Sequence, residues 1–183
     1  MSSTTITKNA TPVTDSCSWE ISNGYGDTIS YTVSKMSNDG QTFTEVSTFD
    51  LLGNGAGDND VDYTIASDGI YILTYTEIAV NYVIPIVATC SLVNCIALAT
   101  NKIICGTLEK CDVDNGFALF AIVDEINDLV EADTNINNLT VQTEGSYETN
   151  SLPTLKLINE YIIKAASLCS TFNTGDNGCD CGC

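Results

Sequence analysis

The nine cysteines are the residues best suited to chemistry, because the chain contains no histidine to act as a base or a metal ligand. Eight of the nine lie from Cys90 onward, and Cys17 stands alone in the first half. Thiolates can coordinate metals, attack electrophiles or pair as disulfides. The missing imidazole and the lack of a Cys-x-x-Cys pair disfavour thiol catalysis. We therefore expect these cysteines to hold structure, and we expect no enzymatic activity.

Three uses of the cysteines remain open. In the first, cysteines near helix ends meet the C-terminal cysteines and hold a zinc ion or an iron–sulfur centre, although no spacing matches a standard zinc knuckle. In the second, the same set forms disulfides, whose geometry tolerates irregular spacing. In the third, Cys90, Cys95 and Cys169 are small buried hydrophobic residues. The set considered for metal or disulfide bonds is Cys105, Cys111, Cys169, Cys179, Cys181 and Cys183.

Helix geometry separates Cys90 and Cys95 from that set. Five residues at 3.6 per turn point their side chains about 140° apart, so the two cannot chelate one ion together. We predict that both are packing residues. For the tail from Cys179 to Cys183 we predict a cross-link, because exposed free thiols are readily oxidised. The helical half would then be a module that is cross-linked through its cysteines.

An acidic segment offers a second candidate site. Asp58, Asp60 and Asp62 alternate as the ligands that open an EF-hand calcium loop do. Tyr63 and Gly69 stand where that loop requires a glycine and a bidentate glutamate, so an EF-hand is excluded. The alternatives are a weak calcium site in a sandwich loop and a solvated acidic turn.

The charge of the chain limits its partners. Six basic and 24 acidic residues give a formal net charge of -18. Such a surface repels phosphate backbones, so we expect no direct binding of nucleic acid. The polar N-terminus lacks the apolar region of a secretory signal, which predicts synthesis in a reducing cytoplasm and oxidation only after release.

One uncharged run, between Glu77 and Lys102, is long enough to suggest a membrane span. Asn81, Pro85 and Asn94 lie within it, and neither flank carries a basic cluster. We therefore expect a buried strand followed by a buried helix, and no membrane span.

The elements that position these residues change character near residue 88. Residues 1–14 are polar and predict a flexible arm. Over 15–87, short alternating runs separated by turn signals predict an immunoglobulin-like β-sandwich. Asp68-Gly69-Ile70-Tyr71 resembles the tyrosine corner of such sandwiches, in which a tyrosine hydroxyl bonds back to the backbone. The alternative is an ordinary Asp-Gly turn followed by a core tyrosine.

Helical periodicity replaces alternation over 88–170, and 171–183 is a Cys-rich tail. A third helix should begin near Ser151-Leu-Pro153, where serine can cap and proline suits the first turn. The fold predicted is therefore α+β, with the sandwich followed by a small cysteine-rich helical domain. The predicted core stripes of the three helices are Leu92, Ile96, Ala99 and Ile103; Leu119, Ile122, Val123, Ile126, Leu129 and Val130; and Leu155, Ile158, Ile162, Ala165 and Cys169.

The order of these parts resembles small cysteine-rich virion proteins of tailed phages that infect Bacteroidetes, crAss-like podoviruses included. Asp114-Asn-Gly-Phe117, the helix from Leu155 to Cys169 and the tail from Cys179 to Cys183 carry the resemblance, which covers mainly 112–183. It implies a non-enzymatic tail, connector or capsid-associated subunit, assembled in the host cytoplasm as a homo-oligomer with other virion proteins. The alternative is a surface-displayed adhesion or carbohydrate-binding sandwich, which disulfides and an open aromatic groove would favour.

Overall fold

The computed structural model describes residues 4–8, 17–53, 59–104 and 110–173, and within them the chain is α+β with two antiparallel sheets. The strands are β1 (Thr4–Lys8), β2 (Cys17–Asn23), β3 (Ile29–Met36), β4 (Phe43–Leu51), β5 (Asp60–Ile65), β6 (Gly69–Glu77), β7 (Val80–Ala88) and β8 (Gln142–Thr143). The helices are α1 (Cys90–Ile104), α2 (Lys110–Ala132), α3 (Thr134–Asn137), α4 (Glu144–Asn150) and α5 (Leu152–Asn173). The small sheet has the order β1-β2-β5, and the large sheet has the order β4-β3-β6-β7-β8.

The two sheets pack face to face through side chains that alternate along their strands. Trp19 and Ile21 of β2 share one buried core with Tyr31 and Val33 of β3 and with Leu73 of β6. Successive side chains of a strand point to opposite faces, so each strand presents every second residue to this core. The alternation in the sequence therefore identified the inner face of the sandwich correctly.

A chain of aromatic rings runs through the sandwich core. The ring centroid of Tyr75 lies 5.0 Å from that of Tyr82 and 5.3 Å from that of Tyr31, and Tyr31 stacks on Phe49 at 5.7 Å. The hydroxyls of Tyr31 and Thr4 share a hydrogen bond of 2.8 Å. Burial raises the pKa of Tyr31 to about 12, so this hydroxyl stays protonated and neutral at physiological pH.

Strand β1 corrects the prediction of a flexible arm over 1–14. Thr4 lies opposite Asn23 and Lys8 lies opposite Trp19, so the segment pairs with β2 along its whole length. The β-branched run Thr4-Thr-Ile-Thr favours an extended strand, and the pairing satisfies backbone groups at the edge of β2. The rest of the predicted arm lies outside the described residues.

The helices cover the outer face of the large sheet. Met36, Ile70, Ile72 and Val83 of that sheet belong to the same buried cluster as the core residues of the helices. Every residue of the stripe predicted for α5, from Leu155 to Cys169, is buried there. The layers are therefore small sheet, large sheet and helices, and the sandwich and the helical half share this second core.

The uncharged run after Glu77 divides between β7 and α1, as the sequence predicted. Among the described residues, no helix is long and apolar enough to cross a membrane.

The polar stretch 133–150 contains two short helices that the sequence did not predict. Among its described residues, α3 buries only Ile136 and α4 buries only Tyr147. A helix with one buried side chain has no apolar periodicity to reveal it. Between these helices lies the two-residue strand β8, which pairs with the edge of β7.

The corner before β6 ties the sandwich to α1. The Tyr71 hydroxyl donates to the Ser67 carbonyl oxygen at 2.9 Å, which is the backward hydrogen bond expected if the segment is a tyrosine corner. The Asp68 carboxylate accepts from the backbone N–H groups of Ser91 and Leu92 at 2.8 and 2.9 Å. It thereby satisfies two N–H groups that the first turn of a helix leaves unpaired.

Replacing Tyr71 with Phe should lower the free energy of unfolding by about 1 kcal/mol, because the ring remains while the hydrogen bond to Ser67 is lost. Urea denaturation measures this. Tyr63→Phe is the matched control, since it removes a hydroxyl with no hydrogen-bond partner among the described residues and should change stability by less than about 0.5 kcal/mol. Equal losses in the two variants would contradict a stabilising role for the corner.

Candidate functional site

Two disulfides join distant parts of the chain through α1. Cys90, at the start of α1, pairs with Cys17 of β2, and Cys95 pairs with Cys169 of α5. The Cα atoms are 5.7 Å apart in each pair, which lies in the usual range for disulfides. Helix α1 is therefore cross-linked to the sandwich and to the last helix.

These pairs show that the packing role predicted for Cys90 and Cys95 was wrong. The angle of about 140° between them excludes a shared ion, but it equally directs each thiol to its own partner on another element. One of the predicted cross-links required Cys169 to bond to the tail. Cys169 bonds to Cys95 instead. Sequence spacing reports angles within one helix and not which elements face each other.

Of the remaining cysteines predicted as ligands, only Cys111 belongs to an element of the described structure. Cys111 falls in the first turn of α2, while Cys105 and the tail cysteines Cys179, Cys181 and Cys183 lie outside the described residues. Across 4–8, 17–53, 59–104 and 110–173, no three Cys, Asp or Glu side chains are grouped to hold a metal ion. Zinc or iron–sulfur binding by the cysteines therefore remains a prediction.

The acidic candidate is likewise only partly described. Asp60 and Asp62 lie exposed on the outer face of β5, and Asp58 lies outside the described residues. Strand β5 places the two carboxylates on one face, two residues apart. A calcium site here remains a prediction.

A groove lies on the outer face of the large sheet, and the sequence did not predict it. Its volume is about 690 Å³, within the roughly 300–1,000 Å³ typical of ligand sites. We call it the threonine groove. It is defined by a floor that includes Thr32, Thr74, Thr76 and Asn81 and by walls that include Glu144 and Tyr147.

The floor is built by the register of the large sheet. Thr32 of β3 lies opposite Thr74 of β6, and Thr76 of β6 lies opposite Asn81 of β7. Opposite residues share a face of the sheet, as do residues two apart on one strand. Ser30 extends the row along β3. Hydroxyl groups of two neighbouring strands, and the Asn81 amide of a third, therefore line one surface.

A hydrogen-bonded chain connects this floor to α4. The Thr76 hydroxyl donates to Asn81 Oδ1 at 2.8 Å, and Asn81 Nδ2 donates to Glu144 Oε2 at 2.9 Å. An amide has two N–H groups, and a carboxylate can accept several hydrogen bonds, so the chain uses only part of its capacity. It orients Asn81 and Glu144 while leaving donors and acceptors for a bound molecule.

Tyr147 of α4 also lines the groove and differs from its neighbours. It is only 4% exposed, and its buried hydroxyl has no hydrogen-bond partner among the described residues. Burial raises the pKa of Tyr147 well above its usual value, so the hydroxyl remains a neutral donor. Its ring packs edge-on against Phe43 with centroids 6.5 Å apart. A buried hydroxyl without a partner costs about 1–3 kcal/mol.

One signal in the sequence marked this groove. The residues of β6 that face the helices change from Ile70 and Ile72 to Thr74 and Thr76, so the strand begins under the helices and ends beyond their cover. The alternating pattern places Ile70 and Ile72, and also Thr74 and Thr76, on the outward face of β6, so it does not show where the cover by the helices ends. The wall could not be predicted, because Tyr147 sits on a short helix that has no apolar pattern.

Comparison with protein families, with curated proteins and with solved structures finds no match to this chain.

Cys95→Ala, Cys169→Ala and the double variant all lose the same cross-link. Each should therefore lower the free energy of unfolding of the oxidised protein by about 2–4 kcal/mol, with the double variant close to either single one. Reductant should remove most of the difference from the wild type. Denaturation with and without reductant measures this, and digestion without reductant should yield Cys17 linked to Cys90 by mass spectrometry. Additive losses, or unlinked peptides from the oxidised protein, would contradict these pairings.

Proposed function

We propose that this protein is a non-enzymatic structural subunit of a phage virion, in the tail, the connector or a capsid-associated position. It assembles in several copies with itself and with other virion proteins. The observation that carries the proposal is an exposed hydrophobic residue held in an unfavourable backbone conformation at the tip of one hairpin.

That tip is the turn between β6 and β7. Ile78 and Ala79 have φ angles of 47° and 60°, and Ile78 is 90% exposed. A two-residue hairpin with both φ angles positive is favoured by Asn-Gly, and the left-handed region is costly for a β-branched residue. Neither folding nor solubility favours isoleucine here. Contact with a neighbouring protein accounts for it, because burial there would offset the cost.

The disulfides, which also fit the adhesion sandwich, are compatible with the same role. They join segments 73 and 74 residues apart, so they restrain both the sandwich and the helical half. A particle released from its host meets an oxidising medium, in which thiols made in the reducing cytoplasm can pair. A subunit whose disulfides form after the particle leaves its host is suited to a virion.

We also propose that the two sheets form an immunoglobulin-like sandwich. Two facing antiparallel sheets and the Tyr71 hydrogen bond to Ser67 support an immunoglobulin-like sandwich. The resemblance to phage virion proteins rests partly on the segment from Leu155 to Cys169, and its buried stripe supports a folded helical module there.

Replacing Ile78 with Asn and Ala79 with Gly should change stability and assembly in opposite directions. The free energy of unfolding should rise by about 1–2 kcal/mol, because the new residues suit the turn. Self-association of the purified protein, and its incorporation into particles, should fall. Denaturation and sedimentation measure the two effects.

Val93→Ala is the matched control for this experiment. Val93 is 61% exposed on α1, at the other end of β6 from the turn, and its replacement should leave assembly unchanged. Normal assembly of the turn variant would overturn the contact, and a strictly monomeric wild type absent from virions would overturn the function.

A further inference from the structure

We propose that the threonine groove binds a neutral oligosaccharide, an activity beyond the assembly role and located on different residues. The groove combines rows of hydroxyls, an oriented amide and carboxylate, and aromatic side chains. Each of these features matches one part of a sugar, and together they disfavour the other common ligands.

The polar groups of the groove match the hydroxyls of a sugar. A sugar hydroxyl both donates and accepts hydrogen bonds, as do the hydroxyls of Thr32, Thr74 and Thr76. Asn81 adds a donor and an acceptor, and Glu144 adds strong acceptors, both already oriented by the hydrogen bonds between them. Because these groups are held before a ligand arrives, binding does not have to order them.

The Tyr147 side chain lines the groove, and its buried hydroxyl has an unused capacity for a hydrogen bond. Buried polar groups in folded proteins nearly always have a partner, and this one has none among the described residues. Tyr147 and Phe43 also line the groove with aromatic rings. The partly exposed ring of Phe43 offers an apolar surface, which suits the C–H face of a sugar ring.

The charges of the groove select a neutral ligand. Glu144 and Glu148 line it beside Lys156, so carboxylates outnumber cations within its lining. The chain as a whole carries a formal net charge of -18. Sialylated or sulfated glycans, phosphates and nucleic acids would therefore be repelled.

The position of the groove also argues against a peptide added as a strand. Its floor is the face of the large sheet, and the backbones of β3 and β6 already pair on both sides with neighbouring strands. Strand addition needs a free edge. Side chains alone must therefore recognise the ligand here.

The test is an array of immobilised neutral, sialylated and sulfated glycans probed with the whole oxidised protein. The best neutral binder is then titrated by calorimetry. We expect saturable binding to at least one neutral oligosaccharide and a rise in the melting temperature when it is added. Failure to bind any neutral glycan, or stronger binding to the anionic glycans, would overturn the proposal.

Two variants separate a groove ligand from any other binding. Asn81→Ala should weaken affinity about tenfold or more by removing the central amide. Tyr147→Phe should weaken affinity about tenfold, while the melting temperature of the ligand-free protein stays the same or rises, because a buried orphan hydroxyl is removed. Unchanged affinity in both variants would overturn the proposal.

Thr64→Ala is the matched control, because Thr64 is an exposed threonine on the small sheet and should not affect binding. A protein that binds glycans but fails to assemble would overturn only the structural role. A protein that assembles through the Ile78 turn but binds no neutral glycan would overturn only the groove ligand.

Discussion

Strands β6 and β7 lie between the small sheet and the helices, so their side chains are buried on both faces. Tyr71 and Leu73 enter the sandwich core, while Ile70 and Ile72 enter the core shared with the helices. Complete burial of an aliphatic side chain contributes about 1.5–3 kcal/mol, so two rows of such residues bind three layers into one body. The helical half needs this sheet as much as the sheet needs the helices.

The layered arrangement also fixes the course of helix α1, because α1 must run from the end of β7 onto the outer face of the large sheet. Asp68 satisfies its first turn, Cys90 anchors its start to β2 and Cys95 anchors its middle to α5. Each interaction joins residues far apart in the chain. The cross-links therefore hold together the same layers that the hydrophobic cores define.

The groove and the strained turn occur where the helices stop covering the large sheet. Helices α4 and α5 pack over Ile72 and Val83, but not over the last residues of β6, where threonines replace isoleucines. The uncovered face remains polar and is walled by α4. The exposed Ile78 lies at the end of the same hairpin. The two proposed interaction sites are therefore adjacent but consist of different residues.

The sequence by itself determined the elements: alternation predicted six of the strands, helical periodicity predicted α1, α2 and α5, and Asp68-Gly69-Ile70-Tyr71 indicated the turn before β6. These features depend on local residue order. Tertiary structure decided what order cannot report, namely the partners of Cys90 and Cys95, the pairing of β1, and the meeting of Asn81 with Glu144. Periodicity reveals which face of an element is buried but not what covers it, so the disulfides and the groove appear only when the layers are assembled.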